Sequence, residues 1–305
     1  MTKQCMQIGK PRLLIVGCGD VGMRLLPLLQ THFRVFALTS QAARCSELRA
    51  AGAVPILANL DQPHSLARLA GLAKRVVHLA PPRSEGDTDI RTQNLIAVLA
   101  DQSQLVYVST TGVYGDCGGT EFDETRSVKP QNARATRRVA AERSLRAWAR
   151  RSQSCLAILR VPGIYAAERL PLERLHKGTP ALNEADDVYT NHIHADDLAQ
   201  LIRLALFRAS PNRVYHAVDD SDMKMAAYFD LVADSFELPR PPRLPRAELA
   251  QQVSPVLLSF MSESRRLRNQ RIKLELGARL RYASVREGVL AALESSGRTT
   301  KKTEP

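Results

Sequence analysis

The chain is poor in several things. Aromatic residues make up 5% of its 305 residues, with one tryptophan, so it offers no stacking platform for single-stranded nucleic acid. No nucleic-acid-binding motif accompanies its basic residues either, and nucleic acid is not the expected partner. The cysteines, Cys5, Cys18, Cys45, Cys117 and Cys155, are odd in number and scattered without a C-x-x-C pair. That argues against a disulfide framework or a structural zinc site, and they read as reduced thiols. No apolar run approaches the roughly 18 residues that a membrane helix needs. No apolar leader precedes Pro11, so a cytoplasmic protein with no membrane partner is expected. Against these scarcities stand 44% hydrophobic residues, enough for a sizeable core, and an arginine-rich net charge of +12 that suits anionic small molecules.

The most informative stretch is Leu13-Leu14-Ile15-Val16-Gly17-Cys18-Gly19-Asp20-Val21-Gly22. Four aliphatic residues suit a buried parallel strand. Gly17 permits a tight turn, Gly19 lets a phosphate approach the backbone, and Gly22 allows close packing of helix on strand. The helix opened by Asp20 and Val21 would turn its free N–H groups to a pyrophosphate. Pro27 is expected to kink or shorten that helix.

Further strands are expected at 33–39, 54–58, 75–80, 104–109, 157–161 and 213–218. Helices alternate with them at 41–51, 63–70, 88–100 and 131–151. This alternation predicts an α/β fold, a Rossmann-type doubly wound parallel sheet with a small C-terminal α/β substrate lobe. Residues 1–165 form the NAD(P)-binding domain in this reading and 166–295 a lobe interleaved with the sheet. The polar tail 296–305 is expected to be disordered. Ligands gather at the carboxyl edge of such sheets, which singles out Leu79, Ala80 and Pro81. Asn59, beside Leu60, is placed to reach an adenine edge. An NAD-preferring fold usually carries an acidic residue about 20 residues after its glycines. None occurs here between Asp20 and Glu47, while Thr39, Ser40 and Arg44 stand where a 2′-phosphate would be held. NADP is therefore expected in preference to NAD, the other reading of Arg44 being a solvated helix residue.

The fifth strand runs into Ser109-Thr110-Thr111-Gly112-Val113-Tyr114-Gly115, whose hydroxyls can hydrogen-bond a bound carbonyl or alcohol. His78 reads as a packing residue. His192, His194, Asp196 and Asp197 resemble metal ligands in composition, but the two carboxylates suit the first turn of a helix, and no metal is expected. The dense basic run Ser264 to Lys273 reads as a solvated segment before the final helix.

Taken together, the glycine turn, His78-Leu79-Ala80, Val108 to Gly115, Arg160-Val161-Pro162-Gly163-Ile164-Tyr165 and Asn191 to Leu198 resemble the short-chain dehydrogenase/reductase superfamily. The likeness is to its extended side, the NAD(P)-dependent nucleotide-sugar epimerase/dehydratase family. It implies an oxidoreductase on a small, anionic or sugar-nucleotide-like substrate, working as a monomer or homodimer, with Pro162, Gly163 and Ile164 beside the cofactor. It also implies a Tyr-x-x-x-Lys pair on the long helix. Counted back from Glu142, those positions are Arg134 and Arg138, so the chain resembles atypical members. Arginine stays protonated and cannot exchange a proton, though it can hold a phosphate or carboxylate bidentately. Arg138 could still contact the ribose and phosphates. Thr110 takes the place of the catalytic Ser or Thr, and Tyr114 is the one nearby side chain to consider for proton transfer. An atypical enzyme and a cofactor-binding sensor without turnover both remain open.

Overall fold

The computed structural model describes residues 9–295; the tail expectation for 296–305 lies outside them. Strands β1 (Arg12–Val16), β2 (Arg34–Thr39), β3 (Val54–Leu57), β4 (Arg75–His78), β5 (Gln104–Thr110) and β6 (Cys155–Val161) are followed by short β7 (Gly163–Tyr165) and β8 (His192–His194), then β9 (Arg213–His216). Seven of them make one parallel sheet in the order β9-β6-β5-β4-β1-β2-β3. The chain walks outward from β1 to β3 and then crosses to β4, so the order reverses between β1 and β4, where ligands bind in such sheets.

Burial on both faces explains why β1 is uniformly aliphatic. Leu13 and Ile15 point into one hydrophobic cluster, Leu14 and Val16 into the other. Helices α1 (Asp20–Leu29), α2 (Arg44–Ala50), α3 (Ile90–Ile96), α4 (Ala133–Arg151), α5 (Ala195–Arg208), α6 (Met225–Ser235) and α7 (Val285–Ser295) cover these faces and build the lobe. Leu25, Leu26 and Leu29 of α1 meet Leu198, Leu201 and Ile202 of α5 on the first face. Ala141, Leu145 and Trp148 of α4 close the second. The lobe has its own core, in which Tyr165 and Leu175 pack with Phe229, Val232 and Val289. Because α5 and β9 return to the sheet, lobe and sheet share the segment 195–216. No helix among the described residues is long and apolar enough to cross a membrane.

Local details depart from expectation for physical reasons. Helix α1 runs through exposed Pro27 and ends at Leu29, within a turn; the missing N–H forfeits the one bond to the Met23 carbonyl, and the helix stops soon after. The segment 63–70 is a 3-10 helix over Pro63–Leu69. The expected 88–100 helix contracts to α3, capped by Asp89, whose carboxylate accepts from Thr92 N–H at 3.2 Å.

The basic run keeps several charged heads in solvent, as expected, but they are paired and Leu267 and Asn269 between them are buried. Arg265 pairs with Glu263 at 2.8 Å, Arg268 with Glu121 at 2.9 Å, Lys273 with Asp220 at 2.5 Å, and Arg266 with Asp222. Asn191 fixes its register, donating to the Arg265 carbonyl at 2.8 Å and accepting from Leu267 N–H at 3.0 Å. The result is a strap along the carboxyl edge of the sheet. Most of the carboxylates that neutralise it lie far away in sequence, so charge counting along the run could not find them.

Candidate functional site

At the β1 turn Gly17 has φ +84°, and a Cβ there would lie 2.6 Å from the Ala80 backbone nitrogen. Only glycine fits. Gly19 has nothing within 4 Å of a Cβ position, which leaves its surface open to a ligand, whereas a Cβ on Gly22 would meet Cys18 Sγ at 2.9 Å. The first of these glycines makes the turn, the second leaves room, and the third packs the helix. The first helical bond runs from Met23 N–H to the Gly19 carbonyl at 2.8 Å, and no side chain caps the helix. The N–H groups of Asp20, Val21 and Gly22 therefore have no acceptor within α1 and form the positive end of its dipole.

Beside this turn lies a cavity of about 360 Å³. Gly17, Gly19, Leu79, Ala80 and Pro81 form one wall, and Thr39, Ser40, Arg44, Asn59 and Leu60 the other. These are the residues that sequence reasoning placed around a dinucleotide; Cys18, Leu38, Gln41, Ala58 and Arg91, which also line it, were missed. Burial pushes the Cys18 thiol up to about 11, leaving it un-ionised. Asp20, Val21 and Gly22 do not line the cavity. Asp20 turns its carboxylate to Arg24 at 2.9 Å and Arg169 at 3.0 Å. Arg44 is held across the mouth, donating to the Cys18 carbonyl at 2.7 Å and to Glu47 at 3.0 Å. An open backbone surface, free N–H groups and a guanidinium at the far wall together fit a dinucleotide's phosphates.

One strand further along the same edge is a second cavity, of about 340 Å³. Thr110 ends β5 opposite Val161 of β6, and Gly163 of β7 pairs with His192 of β8, so three strand ends bring Thr110, Pro162, Gly163, Ile164 and His192 to one space. Thr110 Oγ1 accepts from Gly112 N–H at 3.2 Å, which leaves its own hydrogen to donate. From α4, Arg134 reaches the same cavity and lies over the Phe260 ring at 4.3 Å. Arg265 of the strap completes the wall, a position that sequence reasoning missed.

Two residues expected at the reaction site are elsewhere. Arg138 lines neither cavity; its Nη1 donates to Tyr107 Oη at 2.9 Å and to the Val108 carbonyl at 3.0 Å, which ties α4 to β5. Tyr114 is 1% exposed and faces inward. Arg160 Nη1 donates to its hydroxyl at 2.6 Å, and His216 Nε2 lies 2.6 Å from it. The Arg268 carbonyl can only accept, so His216 carries its proton on Nδ1, 2.9 Å away, and Nε2 receives the tyrosine hydrogen. Burial holds Tyr114 up at about 12 and His216 down at about 3. The network continues through Arg160 to Glu142, 2.7 Å from Arg160 Nη2, which also accepts from Ser109 Oγ at 2.7 Å. Tyr114 thus locks α4, β5, β6 and β9 together and has no free proton to give. His78 is a packing residue, its Nε2 2.9 Å from Thr92 Oγ1.

Behind the second cavity, Asp219 N–H holds the His192 carbonyl at 2.8 Å. The Asp219 carboxyl is buried, one of its oxygens has no partner among the described residues, and burial raises it from 3.8 to about 8. Between those values the folded chain keeps a proton that the unfolded chain has released. Stability therefore falls as pH rises through this window, by at most about 1.4 kcal/mol per unit. Asp219→Asn removes that dependence while keeping an acceptor for Ser221 N–H. The melting temperature of the variant is expected to exceed the parent's by more at about pH 8 than at about pH 5; an equal gap at both would show that Asp219 ionises freely in the fold.

A doubly wound sheet with a glycine turn at its switch point and a second cavity on the same edge defines a Rossmann-type fold. The chain belongs to the NAD dependent epimerase/dehydratase family, whose signature matches residues 13–217. A mouse (Mus musculus) relative, dTDP-D-glucose 4,6-dehydratase, is 23% identical over 134 residues, which span 41% of this chain and 38% of that one. Among solved structures, a conserved protein of unknown function from Silicibacter pomeroyi DSS is 30% identical, with a TM-score of 0.77 over 95% of this chain and 100% of that one. UDP-glucose 4-epimerase of Thermotoga maritima, solved with UDP-glucose, superposes with a TM-score of 0.76 at 17% identity, covering 94% and 98% of the two chains. The dTDP-glucose 4,6-dehydratase of Bacillus anthracis, solved with NAD, gives 0.74 at 13% identity, covering 93% and 96%. The last two share the fold.

Proposed function

We propose that the chain is an NADP-dependent oxidoreductase of atypical type, acting on a small molecule in the second cavity. The observation that carries this reading is the placement of two cavities one strand apart on one carboxyl edge, Leu79 to Pro81 after β4 and Thr110 to Gly112 after β5. Gly17 and Gly19, with the positive end of the α1 dipole behind them, would hold the pyrophosphate, Asn59 the adenine side, and Thr39, Ser40 and Arg44 a 2′-phosphate. The bound nicotinamide would supply or accept hydride. Thr110, with its hydrogen free, hydrogen-bonds the reacting oxygen and orients it, and the proton that balances hydride transfer to a carbonyl comes from solvent. Pro162, Gly163 and Ile164 line the space beside Thr110, and Tyr228 and Phe229 of the lobe line its other side.

A cofactor-binding sensor without turnover is the second reading. Its support is that Arg134 cannot exchange a proton and Tyr114 is locked. Absorbance of NADPH, followed with a panel of ketones, aldehydes and sugar nucleotides, separates the two. Oxidation by at least one carbonyl compound is expected; tight NADPH binding with no turnover across the panel would favour the sensor.

For the cofactor, NADPH is expected to bind more tightly than NADH, by about tenfold for one charge-assisted contact, and Arg44→Ala to erase the difference. Fluorescence titration of both nucleotides checks it. Equal affinities in the parent would refute the preference.

A further inference from the structure

We propose that the amino-terminal edge of the sheet, opposite the two cavities, is a docking surface for an acidic polypeptide segment. Its carboxylates would meet Arg12, Arg34 and Arg75, and an apolar side chain between them would rest on Phe207. The inference stands apart from the reading of the cavities and from any cofactor.

Register is the first argument. Arg12, Arg34 and Arg75 open β1, β2 and β4, three neighbouring strands. Arg12 and Arg34 are exposed and are direct register partners; Arg75, half-buried, pairs with Leu13, one residue further along β1. Neighbouring strands lie about 4.8 Å apart, and like charges in such positions repel. Yet none of the three has a carboxylate partner among the described residues, nor has Lys74 before β4 or Arg203 on α5. Arg213, which opens β9 on the same edge, shows the contrast, because Glu275 accepts from its Nε at 3.0 Å. Asp101, exposed in the turn before β5, pairs with none of these cations. Arg150 and Arg151, in the last turn of α4, have the negative end of a helix dipole beside them. Arg12, Arg34 and Arg75 begin strands and have no such compensation.

An exposed aromatic cluster at the same edge is the second argument. Phe207 is 47% exposed and stacks on Phe33 at 5.7 Å between centroids, with His32 edge-on to it at 5.5 Å. Arg75 lies over the Phe33 ring at 5.3 Å and Arg203 over Phe207 at 5.9 Å. Lys10, Phe33 and Arg34 line an open hollow beside the cluster. Arginine around an aromatic centre is the make-up of protein interfaces, which favour Arg and aromatic side chains and disfavour Lys. The guanidinium fork also matches carboxylate oxygens two at a time. A second copy does not suit this surface, since face to face it would set arginine against arginine. One half-exposed phenylalanine makes neither a stacking platform for nucleic acid nor an apolar face that enters a bilayer. An acidic segment carrying an apolar residue satisfies both the charges and the ring.

Fluorescence anisotropy of the full chain with a labelled synthetic peptide tests this. The probe is a leucine flanked on each side by a short run of glutamates, and its control has glutamine in place of every glutamate. In the parent, at about 0.05 M salt, saturable binding of the glutamate peptide is expected, about tenfold or more tighter than the control and weakening as salt is raised. Arg12→Gln, Arg34→Gln and Arg75→Gln combined should weaken it about tenfold, and Arg12→Gln or Arg34→Gln alone about twofold. Arg143→Gln, Arg281→Gln and Arg286→Gln combined remove the same charge from exposed positions away from this edge, and should weaken it by about twofold at most. Phe207→Ala should weaken the leucine peptide and leave a counterpart with glycine in its place unchanged. The edge residues line neither the dinucleotide cavity nor the second one, so melting temperature and NADPH titration serve as folding controls. No saturable binding of the glutamate peptide, equal losses in the two triple variants, or tighter edge-dependent binding of phosphatidylserine vesicles or duplex DNA overturns the inference.

Discussion

Glu142→Gln is expected to lower the unfolding free energy by about 3–5 kcal/mol, the usual result of leaving one member of a buried ion pair alone. Glu142 and Arg160 are 4% and 5% exposed, and the carboxylate takes two guanidinium N–H groups, at 3.1 and 2.7 Å. Removing its charge leaves Arg160 in the interior with only neutral acceptors among the described residues, the new amide oxygen and the Tyr114 hydroxyl. The coupling spreads further, because Ser109 on β5 shares the same carboxylate. Denaturant titration should show a lower midpoint with an unchanged slope. Ser109→Ala, which deletes one hydroxyl donor to that carboxylate, should cost less, about 1.5–3 kcal/mol. A Glu142→Gln protein within about 1 kcal/mol of its parent would mean that water or another group compensates Arg160, and that the network does not hold the ends of β5 and β6 in place.

Gly17→Ala is the second large effect. The substitution forces a side chain onto φ +84° and puts its Cβ 2.6 Å from the nitrogen and 2.7 Å from the Cα of Ala80, both backbone atoms that cannot rotate away. Backbone strain and overpacking together should cost about 2–4 kcal/mol. Since Ala80 lines the dinucleotide cavity, NADPH affinity should fall with stability. Gly19→Ala is the informative contrast. Gly19 has an ordinary φ of −82° and open space at its Cβ position, so stability should change by no more than about 0.5 kcal/mol. The added methyl group would still occupy the surface on which a phosphate sits.

What could be read in the sequence was local. Leu13 to Val16 followed by Gly17 and Gly19 announces a buried strand and a phosphate turn within a few residues, and Thr39, Asn59, Ala80 and Thr110 follow because each stands at the end of a strand. What could not be read depends on partners remote in sequence. Tyr114 lies four residues after Thr110, but the 3-10 turn Thr111–Tyr114 swings its ring into the core, toward Arg160 and His216, 46 and 102 residues away. Arg138 keeps the spacing of a cofactor-binding residue, yet the Val108 carbonyl and Tyr107 hydroxyl claim its guanidinium. The ion pairs of the strap from Ser264 to Lys273 were not legible, because Glu121, Asp220 and Asp222, which pair with it, are scattered over the chain. His192 was legible as a residue near the pocket; its unmet hydrogen bond shows only once the fold buries it.

The central claim is that the turn at Gly17 and Gly19 holds a dinucleotide. Titration of NADPH fluorescence into the purified parent and Gly19→Ala proteins tests it most directly. Saturable one-to-one binding is expected in the parent, weakened about tenfold or more in the variant at an unchanged melting temperature. No saturable binding in the parent, or equal affinity in the two proteins, would contradict it.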